Sequence, residues 1–127
     1  MKHDKSDLPL VYSCSGCSSA AQLTNHLALR LDRAGLAEMS CIAGVGGGVR
    51  SLVRKARQPR PILALDGCHL SCASHCLENA GVKPTTHLVF SEHGVKKRYH
   101  EDFDTGQAGE LYEMVAEHAR RLAGPRS

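Results

Sequence analysis

The chain has 127 residues, and 42% of them are hydrophobic, which is enough to build the core of one domain. It has three tyrosines, two phenylalanines and no tryptophan, so it offers few aromatic rings on which nucleic-acid bases could stack. Its net charge of +3 is mild and its basic residues are spread along the sequence, which predicts no nucleic-acid partner.

The N-terminal segment is polar, and it is followed neither by a signal-peptide pattern nor by an apolar stretch long enough to span a membrane. We therefore expect a disordered tail over residues 1–7, a single domain over residues 8–127, no membrane partner and a cytoplasmic location. In a reducing cytoplasm, six cysteines indicate metal binding or thiol chemistry before they indicate disulfides.

The first strand and helix are predicted from an apolar run followed by a capping signal. The strand covers Leu8–Cys14, and a turn of small residues that contains Cys17 follows it. The helix begins at Ser19, which forms a capping-box pair with Gln22, and it ends at Gly35.

The second strand and helix are joined by a run of glycines. The strand is predicted over Glu38–Ala43, the turn over Gly44–Gly48 and the helix over Val49–Arg57. The glycine run matches neither the dinucleotide-binding fingerprint nor a phosphate-binding P-loop. We interpret it as a flexible turn that lets the cysteine of the second strand approach the other thiols.

The second half of the chain predicts two more strands and two more helices. Ile62–Leu65 is a continuous apolar run, as expected of a central strand that is buried on both faces. A helix over His69–Ala80 and a strand over Thr86–Phe90 follow. After a polar, basic connection over Gly94–Asp104, Asp104 caps the last helix.

Strands and helices therefore alternate along the whole chain. Alternation of this kind indicates a parallel sheet with right-handed crossover connections. The predicted fold is a small doubly wound α/β domain, with a mostly parallel four-stranded sheet and helices on both of its faces.

Five of the six cysteines lie where predicted strands end. Ligand sites in open α/β sheets lie beyond the carboxyl ends of the strands. If the first strand lies between the second and the third, all five sulfur atoms face one crevice. These cysteines are Cys14, Cys17, Cys41, Cys68 and Cys72.

The spacing of these cysteines is typical of a metal site. Cys14 and Cys17 form a CxxC half-site, and Cys68 and Cys72 would lie on one helix face as an i, i+4 pair. Both pairs lie at or before predicted helix N-termini, where the helix dipole favours thiolates. Zinc, copper(I) and iron–sulfur clusters all bind thiolates, and we expect zinc as the cofactor.

Three neighbouring residues have other interpretations. Cys76 is eight residues beyond Cys68, which is roughly 12 Å along a helix, so these two thiols could not share one ion. We interpret Cys76 as a small apolar residue of the core. His75 lies three residues beyond Cys72 and is a reserve ligand. For Asp66 we prefer a structural role as a cap of the third helix.

Four segments of the chain resemble the DGC-domain family, whose members are described as zinc-binding proteins. The segments are Tyr12–Ser19 (YSCSGCSS), Ala37–Gly47 (AEMSCIAGVGG), Asp66–Cys72 (DGCHLSC) and Gly94–Lys97 (GVKK). The resemblance covers nearly the whole chain. It implies a small bacterial cytosolic protein whose cysteines bind zinc, and it implies no reaction.

The resemblance and the spacing favour different fourth ligands. The family accepts serine at the position of Cys17, so the resemblance favours the set Cys14, Cys41, Cys68 and Cys72. Spacing alone favours Cys17 over Cys41. Both sets stay open, and the candidate metal ligands are all five cysteines.

Three functions use these cysteines. The first is a zinc-binding protein, with a structural site or a role in handling or sensing metal. The second is a redox or sulfur-transfer enzyme, in which Cys14 or Cys68 is the nucleophile and Cys17 or Cys72 resolves it. The third is an iron–sulfur protein for electron transfer.

Overall fold

The computed structural model describes residues 7–124, so residues 1–6 of the predicted tail and residues 125–127 lie outside the described residues. The strands are β1 (Leu10–Ser13), β2 (Glu38–Met39), β3 (Ile62–Asp66) and β4 (Thr86–Val89). The helices are α1 (Ser19–Arg33), α2 (Ile42–Gly46), α3 (Arg50–Ala56), α4 (Cys72–Asn79) and α5 (Thr105–Ala123), and a 3-10 turn covers Phe90–His93. None of the helices in this range is long and apolar enough to cross a membrane.

The four strands form one sheet in the order β2-β1-β3-β4, and every neighbouring pair is parallel. Leu10 of β1 lies between Glu38 of β2 and Ile62 of β3. The first strand therefore lies between the second and the third, which is the condition for a shared crevice. The predicted α/β fold is confirmed, with a sheet that is parallel throughout.

The central strands β1 and β3 are buried at every position. Because successive side chains of a strand point to opposite faces, each strand contributes to two cores. Val11 and Leu63 face one core, while Tyr12 and Ala64 face the other. This double burial explains why both strands are continuous apolar runs rather than alternating ones.

The first core lies between the sheet and helices α1 and α5. Leucines at every fourth position place one stripe of α1 against the sheet, and each of them is fully buried. Burial of one such side chain stabilises the fold by about 1.5–3 kcal/mol. The leucines of this stripe are Leu23, Leu27 and Leu31.

The second core lies between the opposite face of the sheet and helices α2, α3 and α4. Val45, Ala56 and Leu77 provide one buried side chain from each of these helices. Gly46 of α2 has no side chain, so α2 and α4 pack closely at this point. A Cβ atom on Gly46 of α2 would lie 2.8 Å from Cys76 Sγ on α4.

The second strand is shorter than predicted, and part of the glycine run is helical. β2 ends at Met39, and Cys41 is the N-cap of α2, with its Sγ accepting a hydrogen bond from Gly44 N at 3.4 Å. The predicted flexible turn over Gly44–Gly48 is therefore wrong for its first half. Glycine is accommodated in this helix because the backbone must approach α4 closely.

The third predicted helix begins three residues too early. α4 starts at Cys72, after Ser71 in a left-handed conformation with φ of 52°. Cys68 therefore lies in the loop, and its predicted i, i+4 relationship with Cys72 on a helix is wrong. The predicted distance between Cys68 and Cys76 assumed that both lie on one helix, so it is wrong as well.

Candidate functional site

The five candidate cysteines lie in the connections that leave the carboxyl ends of β1, β2 and β3. These strands are adjacent and parallel, so the three connections leave the same edge of the sheet. We call this region the thiol edge, defined by Cys14, Cys17, Cys41, Cys68 and Cys72. The structure thus places all five at one edge, as the sequence predicts.

Cys14 is the buried centre of the thiol edge, with 7% of its surface exposed. It packs against Ala21 in the first turn of α1 and Ala73 in the first turn of α4. Ile42, the first residue of α2, covers the same cluster. The first turns of three helices therefore pack around one sulfur atom.

The Cys14 thiol is fixed by two hydrogen bonds. Its Sγ accepts one from Gly67 N at 3.2 Å and lies 3.2 Å from Thr24 Oγ1. Burial raises the pKa of Cys14, although the bonds to Thr24 and Gly67 partly oppose this. Cys14 is therefore a neutral, positioned thiol that needs a further positive charge before it gives up its proton.

Gly67 allows the loop after β3 to reach Cys14. A Cβ atom at this position would lie 2.8 Å from the backbone carbon of Ala20 and 2.9 Å from its carbonyl oxygen. A side chain would push the loop away from α1 and take the Gly67 N–H away from the sulfur. This close approach explains why glycine stands between Asp66 and Cys68.

Asp66 has the structural role that the sequence favours. It is fully buried, and its carboxylate accepts hydrogen bonds from Ala73 N at 2.8 Å and Ser74 N at 3.2 Å. Its Oδ2 also lies 2.7 Å from His87 Nε2. Asp66 thereby caps α4, whose own N-cap Ser71 makes no side-chain bond, and it ties the helix to β4.

Cys68 lies beside a lysine that the sequence analysis did not identify as part of the site. Lys97 Nζ donates to Cys68 Sγ at 3.6 Å. The pKa of Lys97 is raised, chiefly by the Tyr99 hydroxyl and also by the Cys68 sulfur. The segment GVKK resembles the family, but no local sequence pattern pairs Lys97 with a cysteine.

Two hydrogen bonds between Ser19 and the backbone of Arg98 fix the segment that carries Lys97. Ser19 N donates to Arg98 O at 2.8 Å, and Arg98 N donates to Ser19 Oγ at 3.0 Å. The connection after β4 is therefore attached to the start of α1. Lys97 therefore places a positive charge beside the sulfur of Cys68.

Cys17 and Cys41 are exposed. Cys17 lies in the turn before α1, where Gln22 Nε2 donates to Gly16 O at 2.6 Å. Cys41 lies before α2 and, besides its contact with Gly44 N, is accessible to solvent. Both sulfur atoms are therefore open to reagents and ions from the outside.

Cys72 and Cys76 lie one turn apart on α4. Cys72 is exposed and Cys76 is half-buried, with its sulfur against Gly46. Burial raises the pKa of Cys76, and the nearby Cys72 and Asp66 raise it further. His75, the reserve ligand, is exposed on the same helix.

The thiols share an edge without forming one coordination centre. Within residues 7–124, no three histidine, cysteine, aspartate or glutamate side chains lie close enough together to hold a metal ion. A cavity of about 630 Å³ near the start of α1 and the connection after β4 is not lined by any cysteine. Sulfur ligation of one ion would require the loops to move.

The chain resembles one characterised protein closely. It is similar to the anaerobic and virulence modulator AnvM of Pseudomonas aeruginosa, with 67% identity over 105 residues that make up 83% of this chain and 80% of AnvM. No solved structure matches the chain. The sequence profile of the DGC domain matches residues 10–115, which include all six cysteines. The resemblance found in the sequence is thus confirmed, and the chain belongs to the DGC-domain family.

Proposed function

We propose that this protein is a regulatory zinc-binding protein that takes up the ion at the thiol edge. The observation that carries the proposal is the position of Cys14, buried where the first turns of α1, α2 and α4 meet. Thiols that follow three adjacent strand ends lie at this edge of the sheet. Sulfur donors of this kind suit zinc, which would draw them together as thiolates.

The arrangement of the ligands favours a sensing role over a purely structural one. Cys17 and Cys41 are exposed in loops, while Cys14 is already fixed. Uptake of an ion would therefore rearrange the loops around an anchored thiol. A conformational change of this kind is what a sensor needs, because the loops then differ between the two states.

The residues around the cysteines have separate tasks in this proposal. Asp66 and Gly67 hold the loop after β3 in place, and Lys97 offsets negative charge at Cys68. Cys14 must lose its proton on binding, so zinc affinity should fall as the pH is lowered.

The regulatory part of the proposal rests on the relative. The name of AnvM describes that protein as an anaerobic and virulence modulator. We extend a regulatory role to this chain and place it in a reducing cytoplasm, where its thiols stay free to bind metal. Regulation in this form requires no contact with nucleic acid.

Metal analysis of the untagged protein, purified without oxygen, tests the proposal. We expect about one zinc per chain, with loss of the ion and of thiol protection in Cys68→Ser. Cys76→Ser serves as the matched control and should keep its zinc. Brown protein that contains iron and sulfide would contradict the zinc proposal and show that the cysteines hold an iron–sulfur cluster.

A thiol-based redox or sulfur-transfer activity is the second candidate, and the contact between Lys97 and Cys68 favours it. In this case Cys68, rather than the buried Cys14, is the nucleophile. Metal-free protein with one unusually reactive thiol at Cys68 would support this candidate and overturn the zinc proposal.

A further inference from the structure

A second candidate site lies at the C-terminal ends of α2 and α4, whereas Cys41 and Cys72 lie at their N-terminal ends. A cavity of about 490 Å³ opens between α3 and the C-terminal ends of these two helices. Its polar lining consists of Arg50, Arg54, Arg57 and Asn79, and the remaining lining residues are glycines and small apolar side chains. We call it the arginine pocket. None of the described residues that line it carries a carboxylate.

The three arginines form one wall of this pocket. Arg50 and Arg54 are one turn apart on α3, and Arg57 is the C-cap of the same helix. Residues at this spacing lie on the same helix face. Seven residues of helix extend over about 10 Å, so three positive charges are distributed over this distance.

The arginines of the pocket form no ion pair with a carboxylate in the part of the chain that the structure describes. None of the ion pairs formed within residues 7–124 includes Arg50, Arg54 or Arg57. Lys55, on the same helix, instead pairs with Glu38 at 2.8 Å. Like charges one turn apart repel each other, so this arrangement favours an anion between them.

Arg57 is held in place by a hydrogen bond to the backbone of α4. Its Nε donates to Ala80 O at 2.9 Å at the end of α4. One edge of its guanidinium is thus used by the protein, and the other donors remain for a ligand. The absent side chain of Gly48 leaves space on the facing wall, since a Cβ atom there would meet nothing within 4 Å.

We propose that the arginine pocket binds a small molecule with two or more clustered phosphate groups. Guanidinium groups bind phosphate oxygens with two parallel hydrogen bonds, and three of them over about 10 Å match a chain of phosphates better than a single ion. The volume lies within the range of small-molecule sites, which is about 300–1,000 Å³. Asn79 would contact an uncharged part of the ligand.

This inference does not rest on the proposed zinc site, because none of the lining residues is a cysteine. Its test is calorimetric titration of the full chain with tripolyphosphate, pyrophosphate and sulfate at one ionic strength. We expect saturable binding that is tightest for tripolyphosphate. Cys68→Ser should bind tripolyphosphate as the unchanged protein does, which separates this site from the thiol edge.

Arg54→Gln should weaken tripolyphosphate binding about tenfold or more, because it removes a charge-assisted hydrogen-bond donor. The affinity of Arg54→Lys for tripolyphosphate should lie between those of the unchanged protein and Arg54→Gln. Lysine keeps the charge but cannot form two parallel hydrogen bonds. Arg120→Gln on α5 removes the same charge on the other face of the sheet and should leave the affinity unchanged. Arg50→Gln repeats the test at a second pocket position.

Three results would overturn the proposal. Equal weakening by Arg120→Gln would mean attraction by net charge alone. Equal affinity for sulfate and tripolyphosphate would mean a single adventitious anion. Tighter binding of a DNA duplex or an RNA oligonucleotide, with a steep dependence on salt, would make the surface a nucleic-acid contact.

Discussion

Lys97 Nζ lies 3.6 Å from Cys68 Sγ, although 29 residues separate the two in the sequence. Cys68 follows β3, and Lys97 follows β4, the neighbouring strand on that side of the sheet. The contact places a positive charge at Cys68, a half-exposed thiol of the thiol edge. It therefore makes Cys68 chemically different from the other cysteines.

Lys97→Gln should slow the alkylation of Cys68 severalfold, because the variant loses the positive charge that lies beside the attacking sulfur. The rate can be followed peptide by peptide with iodoacetamide and mass spectrometry. In the unchanged protein, Cys14 should react last, since it is buried and its pKa is raised.

The matched control for this change is Lys96→Gln, which removes the same charge from the adjacent exposed residue. It should leave the rate at Cys68 unchanged. An equal effect of both variants would mean that Lys97 acts through the overall charge of the segment and not through its contact with the sulfur.

The gathering of the thiols could be predicted from the sequence, whereas the contact of Lys97 could not. Alternating apolar runs and helical patterns determine the order of the elements, and parallel strands bring their carboxyl ends to one edge. Lys97 reaches Cys68 only because Ser19 binds the backbone of Arg98. A contact of this kind depends on three distant segments and leaves no periodic signal.

The start of α4 was mispredicted for a related reason. A helix could include His69 and Leu70. The buried carboxylate of Asp66, however, accepts hydrogen bonds from the N–H groups of Ala73 and Ser74. The first turn must therefore begin at Cys72. A tertiary cap overrides the local preference, and with it the predicted spacing of Cys68 and Cys72.

Gly67→Ala should destabilise the fold by about 1–3 kcal/mol, because the added methyl group overlaps with the backbone of Ala20. It should also displace the Gly67 N–H from Cys14 Sγ and make Cys14 more reactive. Urea denaturation measures the first effect and alkylation the second.

Gly109→Ala is the control for this substitution. Gly109 lies within α5, and a Cβ atom there would meet nothing within 4 Å. This variant should gain about 0.5–1 kcal/mol, as alanine replaces glycine in a helix. A Gly67→Ala protein as stable as the unchanged chain would contradict the close approach of the loop to α1.

Glu38→Gln should lower the free energy of unfolding by about 1–3 kcal/mol at neutral pH. Burial alone would raise the pKa of Glu38, but Lys55 and Arg60 outweigh it and hold the pKa below its usual value. A carboxylate with a lowered pKa stabilises the fold above its unfolded pKa, and this contribution is lost as the pH falls through the folded pKa.

The difference between Glu38→Gln and the unchanged protein should therefore shrink in acid, as chemical denaturation at a series of pH values would show. Glu117→Gln is the control, since Glu117 makes only exposed ion pairs on α5. Its effect should stay within about 0.5 kcal/mol. A pH-independent difference for Glu38→Gln would contradict the ionic origin of its contribution.

Asp66→Ala should be the most damaging single substitution at the thiol edge, with a loss of about 3 kcal/mol or more. It leaves the N–H groups of Ala73 and Ser74 without their buried acceptor and removes the partner of His87. Asp104→Ala removes an N-cap of α5 that is exposed, so it should cost only about 1 kcal/mol.

Zinc binding separates the two roles that Asp66 could have. If Asp66 acts by fixing α4, then Asp66→Asn should keep part of the capping and lose zinc affinity in proportion to its loss of stability. Thermal unfolding and zinc titration of the same samples measure both quantities. Loss of zinc from an Asp66→Asn protein of unchanged stability would show instead that the carboxylate contacts the ion directly.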